Sequence, residues 1–172
     1  MTSSLLADAF GHHVWATLRV IDACDALTPD QLETNLPGTF GSIIATLRHT
    51  VGADSWYLFR TSRGRVTPVE EDVEASMTLA DLRAMMASHG EVWPTVLVGD
   101  LDPDEMIASR RDDGSESFAP MGLRLAQALH HGTDHRSQVC TALTSLGIEP
   151  PEIDLWDYGR EVGRVTESPQ PG

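Results

Sequence analysis

Residues 120 to 146 read PMGLRLAQALHHGTDHRSQVCTALTSL, and Gly147 stands directly behind them. The pattern predicts the longest helix of the chain, with Gly147 placed as its stop. Inside it, His131 and His135 are four residues apart, one helical turn, so the two imidazoles stack on one face. That face continues through Ala128, Gln138, Val139, Ala142 and Leu146, which are mainly small or apolar. A histidine pair on a core-facing stripe needs a hydrogen bond or a metal, because an imidazole buried without a partner is costly.

Working outward, three more stretches carry helical periodicity. Residues 3 to 26 place Leu6, Phe10, Val14, Leu18 and Ile21 at three- and four-residue steps. Thr28 followed by Pro29 then predicts a capped short helix. Residues 41 to 62 resume the pattern, with Ser42 as cap. Residues 64 to 76 are acidic, carry a proline and read as a loop. Thr78 with Asp81 resembles a capping box opening the third long helix, which Pro94 is expected to kink or end unless packing compensates. Asp113-Gly114 marks a hairpin turn between two short strands. PPEIDLWDYGREVG, from Pro150, predicts a proline stop and a short final helix. The expectation is an all-α four-helix bundle with a short β-hairpin between the third and fourth helices. Residues 1 to 165 read as one domain and 166 to 172 as a flexible tail.

Composition narrows the function. The 172 residues carry 26 acidic and 12 basic side chains, a net charge of −14, which repels phosphate backbones and anionic membranes. Nucleic-acid and membrane partners are therefore not expected. All the basic residues are arginine, a bias expected of a GC-rich genome. Two cysteines, Cys24 and Cys140, are too few for a disulfide framework and read as small buried side chains. The start, MTSSLLADAF, lacks the pattern of a signal peptide, and no run approaches eighteen apolar residues. A cytoplasmic location is the expectation.

A firmly held metal needs at least three protein ligands. The zinc-protease motif fails here, because Gly132 stands where the general-base glutamate would follow the first histidine. Cys140 is about 140° around the helix from His135 at 3.6 residues per turn, a poor third ligand. The third ligand must come from another helix. His49 is the best candidate, on a face of Ala45, Gly52, Ala53 and Trp56, where small residues would let a partner helix approach. Around this set, His13, His130, Asp134, Arg136, Gln138 and Tyr158 are candidates for supporting or pocket-lining roles. His12 or His13 is the first residue to suspect as a fourth ligand closing a structural site. His89, beside Gly90, is expected at the surface.

Three stretches carry a family resemblance. GSIIATLRHTVGADSWYLFR, from residue 41, resembles the second-helix signature of the DinB-like (DinB/YfiT) superfamily, where a serine at the helix start leads to a histidine and a downstream tryptophan. LHHGTDHRSQVCTALTSLGIEPPEIDLWDY, from residue 129, resembles that family's last bundle helix, with its His-Gly-Thr-x-His-Arg run, a glutamine and a proline-bearing exit. FGHHVWATLRVIDACDALTPDQLE, from residue 10, is similar to the first helix and short second segment. This chain departs in Ser137, where glycine is common, and in the extra imidazole of His130.

The resemblance implies a four-helix bundle, often a homodimer, in which His49, His131 and His135 hold a divalent metal, zinc or nickel. It implies a transferase or isomerase that uses a low-molecular-weight thiol such as mycothiol, bacillithiol or glutathione on a small-molecule substrate. The arginine-only composition favours mycothiol among these. Metal-assisted hydrolysis and a non-catalytic metal-binding or stress-response role are the alternatives.

Overall fold

A computed structural model of the chain describes residues 6–98, 101–110 and 113–167. Four long helices form the bundle: α1 (Ala7–Cys24), α3 (Ile43–Thr61), α5 (Leu79–Leu97) and α6 (Met121–Ser145). Three short helices flank them: α2 (Pro29–Leu32), α4 (Glu71–Ser76) and α7 (Leu155–Glu161). Strands β1 (Met106–Arg110) and β2 (Glu116–Pro120) pair antiparallel between α5 and α6, with Ala108 opposite Phe118. The fold is the expected helical bundle with its hairpin. The first helix begins later than expected, and the first residues of that reading, 3 to 5, lie outside the described chain, as do residues 168–172 of the expected tail.

The helix ends follow local chemistry. Ser42 Oγ accepts from Ala45 N–H, and Thr28 and Thr78 each head a capping box, with Gln31 and Asp81 as the reciprocal partners. Gly147, at φ 74°, ends α6. There Ile148 N–H reaches Leu143 C=O and Gly147 N–H reaches Thr144 C=O, the Schellman pattern that satisfies the last carbonyls. Two segments differ from expectation. The acidic loop contains α4, whose Glu74 covers Gly52, so the small face around His49 accommodates α4 there rather than a bundle helix. Pro94 does not end α5, because Trp93, Val96 and Leu97 are buried on either side of it and hold the last turn in place.

In the bundle α3 packs on α5 and α6, and α1 packs on the same two helices, so α1 and α3 face each other across the diagonal. The connections α1–α3 and α5–α6 therefore cross the bundle, and they carry α2 and the hairpin. The apolar core falls into two parts. One is built around Val20, Ile21, Leu47, Val51, Met86, Val139 and Leu143, the other around Phe10, Leu58, Trp93, Met121 and Leu125.

Candidate metal centre

Between those two apolar halves each bundle helix contributes polar side chains to a buried layer. Asp54 of α3 is 2% exposed and accepts from His13 Nε2 at 3.0 Å, His89 Nδ1 at 2.8 Å and Trp93 Nε1 at 3.2 Å. Arg136 of α6, 3% exposed, donates to His13 Nδ1 at 3.1 Å and to Thr17 Oγ1 at 3.0 Å. A guanidinium can only donate, so His13 Nδ1 is the acceptor, Nε2 donates to Asp54, and His13 bridges Arg136 to Asp54. Burial by itself would raise the Asp54 pKa; the facing His13 and His89 outweigh it and hold the carboxyl below its usual range. Burial draws the Arg136 pKa down to about 10 against the opposing pull of Asp54, so the side chain stays charged at neutral pH.

On the α3–α6 side of this layer His49, His131 and His135 converge, each offering a nitrogen within 4.8 Å of the others. His49 Nε2 and His131 Nε2 are 3.0 Å apart. Two lone pairs cannot share that distance without a proton or a cation between them. Two imidazoles bound to one zinc at 2.0–2.1 Å would sit about 3.3 Å apart at a tetrahedral angle. That pair therefore fits a divalent ion of the zinc class, and a nitrogen of His135 within 4.8 Å of both supplies a third ligand. Burial, then His135 and His49, push the His131 pKa down to about 4, and burial and His135 lower that of His49, so both are neutral, ligand-ready bases at physiological pH.

His135 is set by Gln138. Its Nδ1 lies 3.0 Å from Gln138 Oε1, which also receives the Phe40 backbone N–H at 3.0 Å. A backbone N–H can only donate, so the shared atom is the amide oxygen and His135 Nδ1 must carry its proton. The Nε2 lone pair is left for the metal. Phe40 stacks on His49 with ring centroids 4.0 Å apart and planes 9° off parallel, and meets His135 edge-on at 5.4 Å. Tyr57 lies edge-on to His131 at 5.7 Å.

The structure thus brings together His49, His131, His135 and Gln138. It places the other expected contributors elsewhere. His13 and Arg136 belong to the Asp54 layer, Asp134 is exposed, and His130 is exposed beside a separate apolar cavity of about 390 Å³ lined by Leu101, Met121 and Leu125. Tyr158 packs over Gly11 and against Trp15 and His12, away from the three histidines. His12 donates to Ile153 C=O. Cys140 lies with His12 and Arg136 along another groove, and Cys24 is fully buried with its thiol pushed up to about 12. His89 is 3% exposed rather than at the surface, because its Nδ1–H is bound to Asp54.

Sequence reasoning missed Asp54, Phe40 and Tyr57. A signal existed for Asp54: Leu47, Val51, Asp54 and Leu58 follow core spacing, so an acid occupies a core position. His89 sits in the same way within Leu82, Met86, His89 and Trp93. Nothing in the sequence around Phe40 pointed to the site. No curated protein matches the chain at a significant level. The family model of DinB matches residues 1–164, and the chain belongs to the DinB family.

Proposed function

We propose that the chain is a metal-dependent transferase that activates a low-molecular-weight thiol at an ion, zinc or nickel, held by His49, His131 and His135. The observation that carries this reading is a three-imidazole group that no fourth histidine, cysteine or carboxylate joins among the described residues. The side chains best suited to close it, His12 and His13, are committed to Ile153 and to Asp54 and Arg136. Three neutral ligands with an open position suit catalysis, whereas a structural site is closed by a fourth side chain. Such an ion supplies acidity to a bound thiol or water. The protein's part is to keep three lone pairs aimed at one point, through Gln138 on His135 and through the stacking of Phe40 on His49.

The thiol class, a small electrophilic substrate and a homodimer come with family membership, and the order mycothiol before bacillithiol or glutathione follows the arginine-only composition; all are part of the proposal. A cytoplasmic location fits a chain in which, among the described residues, no helix is long and apolar enough to cross a membrane. Metal-assisted hydrolysis would use the same open position with water as the nucleophile. A non-catalytic metal-binding or stress-response role would call for a closed sphere, and the engagement of His12 and His13 elsewhere weighs against it.

Elemental analysis of tag-free protein beside His49→Ala tests the centre. The expected result is about one equivalent of divalent metal in the wild type and its loss in the variant. Thiol-dependent conjugation of model electrophiles by the loaded protein, absent without thiol, then tests the transferase. No metal in either sample after incubation with zinc and nickel removes the reading altogether.

A further inference from the structure

Gln138 joins two parts of the molecule that are 98 residues apart at Phe40. On one side it holds the His135 ring; on the other it holds the loop from Leu36 to Gly41. That loop is closed on itself. Asn35 and Ser42 form a bridge across its base, and Thr39 Oγ1 donates to Leu36 C=O at 2.8 Å. It carries Phe40 two residues before the bridged Ser42, and Phe40 is 54% exposed. An aromatic ring that open to solvent is normally free to turn, yet here it lies parallel against a metal-ligand candidate. Its backbone N–H is the group tied to Gln138.

We propose that Gln138 is the positioning residue of the metal centre, fixing the His135 tautomer and, through the Phe40 amide, holding the Phe40 ring as an apolar wall over His49. The inference rests on the metal reading above but adds a separate claim, that loop and ligand form one unit. A glutamine serves both ends because its single amide oxygen has two lone pairs, one for each donor. Without it His135 is free to present Nδ1 or to rotate, and the loop loses its attachment to α6. The Phe40 ring covers one side of the centre.

The test uses the full-length, tag-free protein with zinc and a competing chromophoric chelator. Gln138→Leu should weaken zinc binding about 10- to 100-fold, the range seen when a partner behind a ligating histidine is removed. Gln138→Glu keeps an oxygen acceptor and should restore most of that affinity. Phe40→Ala removes the wall and should accelerate zinc release; a wild-type release rate overturns the role given to the ring. Gln138→Ala makes the same deletion with less apolar surface and replaces the leucine variant if that one does not fold. Wild-type zinc affinity in a folded Gln138→Leu or Gln138→Ala protein overturns the role assigned to Gln138 on His135. The loop claim has its own readout in metal-free protein: hydrogen exchange at the Phe40 amide should quicken in the same variants, and unchanged protection overturns it. Failure of the metal reading itself looks different, as wild-type protein that takes no zinc or His49→Ala that keeps it.

Discussion

The imidazole of His131 is packed among His49, His135 and Tyr57, where its charged form is disfavoured by burial first and by the two neighbouring rings second. Its folded pKa, about 4, lies below the unfolded value of about 6.5. The folded state therefore binds the proton more weakly than the unfolded state does. The associated stability is complete above pH 6.5 and is lost as pH falls from there toward 4. We expect the melting temperature of chelator-treated protein to decline across that window, and His131→Gln to flatten the decline; a flat wild-type profile would contradict the assignment. Asp54 behaves as a buried carboxylate fixed by its donors, so Asp54→Asn should cost about 3–5 kcal/mol in urea unfolding by leaving Arg136 charged and uncompensated in the core. Asp8→Asn, which removes an exposed pair with Arg164, should leave the midpoint where it is.

Each long helix carries one or more polar residues at core-spaced positions, and the neighbouring helix makes room for them. The clearest case is on α6. A Cβ at Gly132 would collide with the His13 ring and come within 2.9 Å of Arg136 Nη1, so the glycine that breaks the zinc-protease pattern is the seat of His13. Gly132→Ala should destabilise the fold by about 1–3 kcal/mol through overpacking. It should also weaken metal binding, since His131 is its immediate neighbour; a neutral thermal scan would show that α1 and α6 can separate without loss. The helix ends depend instead on local backbone geometry. Gly147→Ala places a Cβ in the left-handed region and should cost about 1–2 kcal/mol, with no effect on metal content.

At the scale of the molecule, the three histidines join only two of the four bundle helices, α3 and α6, while the Asp54 layer joins all four. Metal removal should therefore soften the α3–α6 seam without unfolding the bundle. Saturation at 100 times Kd adds about 2.7 kcal/mol of stability. The corresponding difference in melting temperature between zinc-loaded and chelated protein should vanish in His49→Ala. Hydrogen exchange should locate the loss of protection in the middle of α3 and α6 rather than in α1 or α5; uniform loss across all four helices would mean that the ion, and not the Asp54 layer, holds the core.

What the sequence determined by itself is what short-range chemistry settles. The 3.6-residue periodicity placed the four long helices. Ser42 and Thr78 marked the starts of two of them, Thr28 that of the short α2, and Gly147 a stop, because caps act over three or four residues. Asp113-Gly114 located the hairpin, and four-residue spacing put His131 and His135 on one face. The tertiary structure alone decided the rest, because the deciding contacts span long stretches of chain. His89 is buried because Asp54, 35 residues away, receives its proton. Arg136 leaves the metal side because His13, 123 residues away, accepts from it. Gln138 becomes part of the centre because the Phe40 amide, 98 residues away, requires its oxygen. A polar side chain at a core position announces that a partner exists, but only the packing of the helices selects which one.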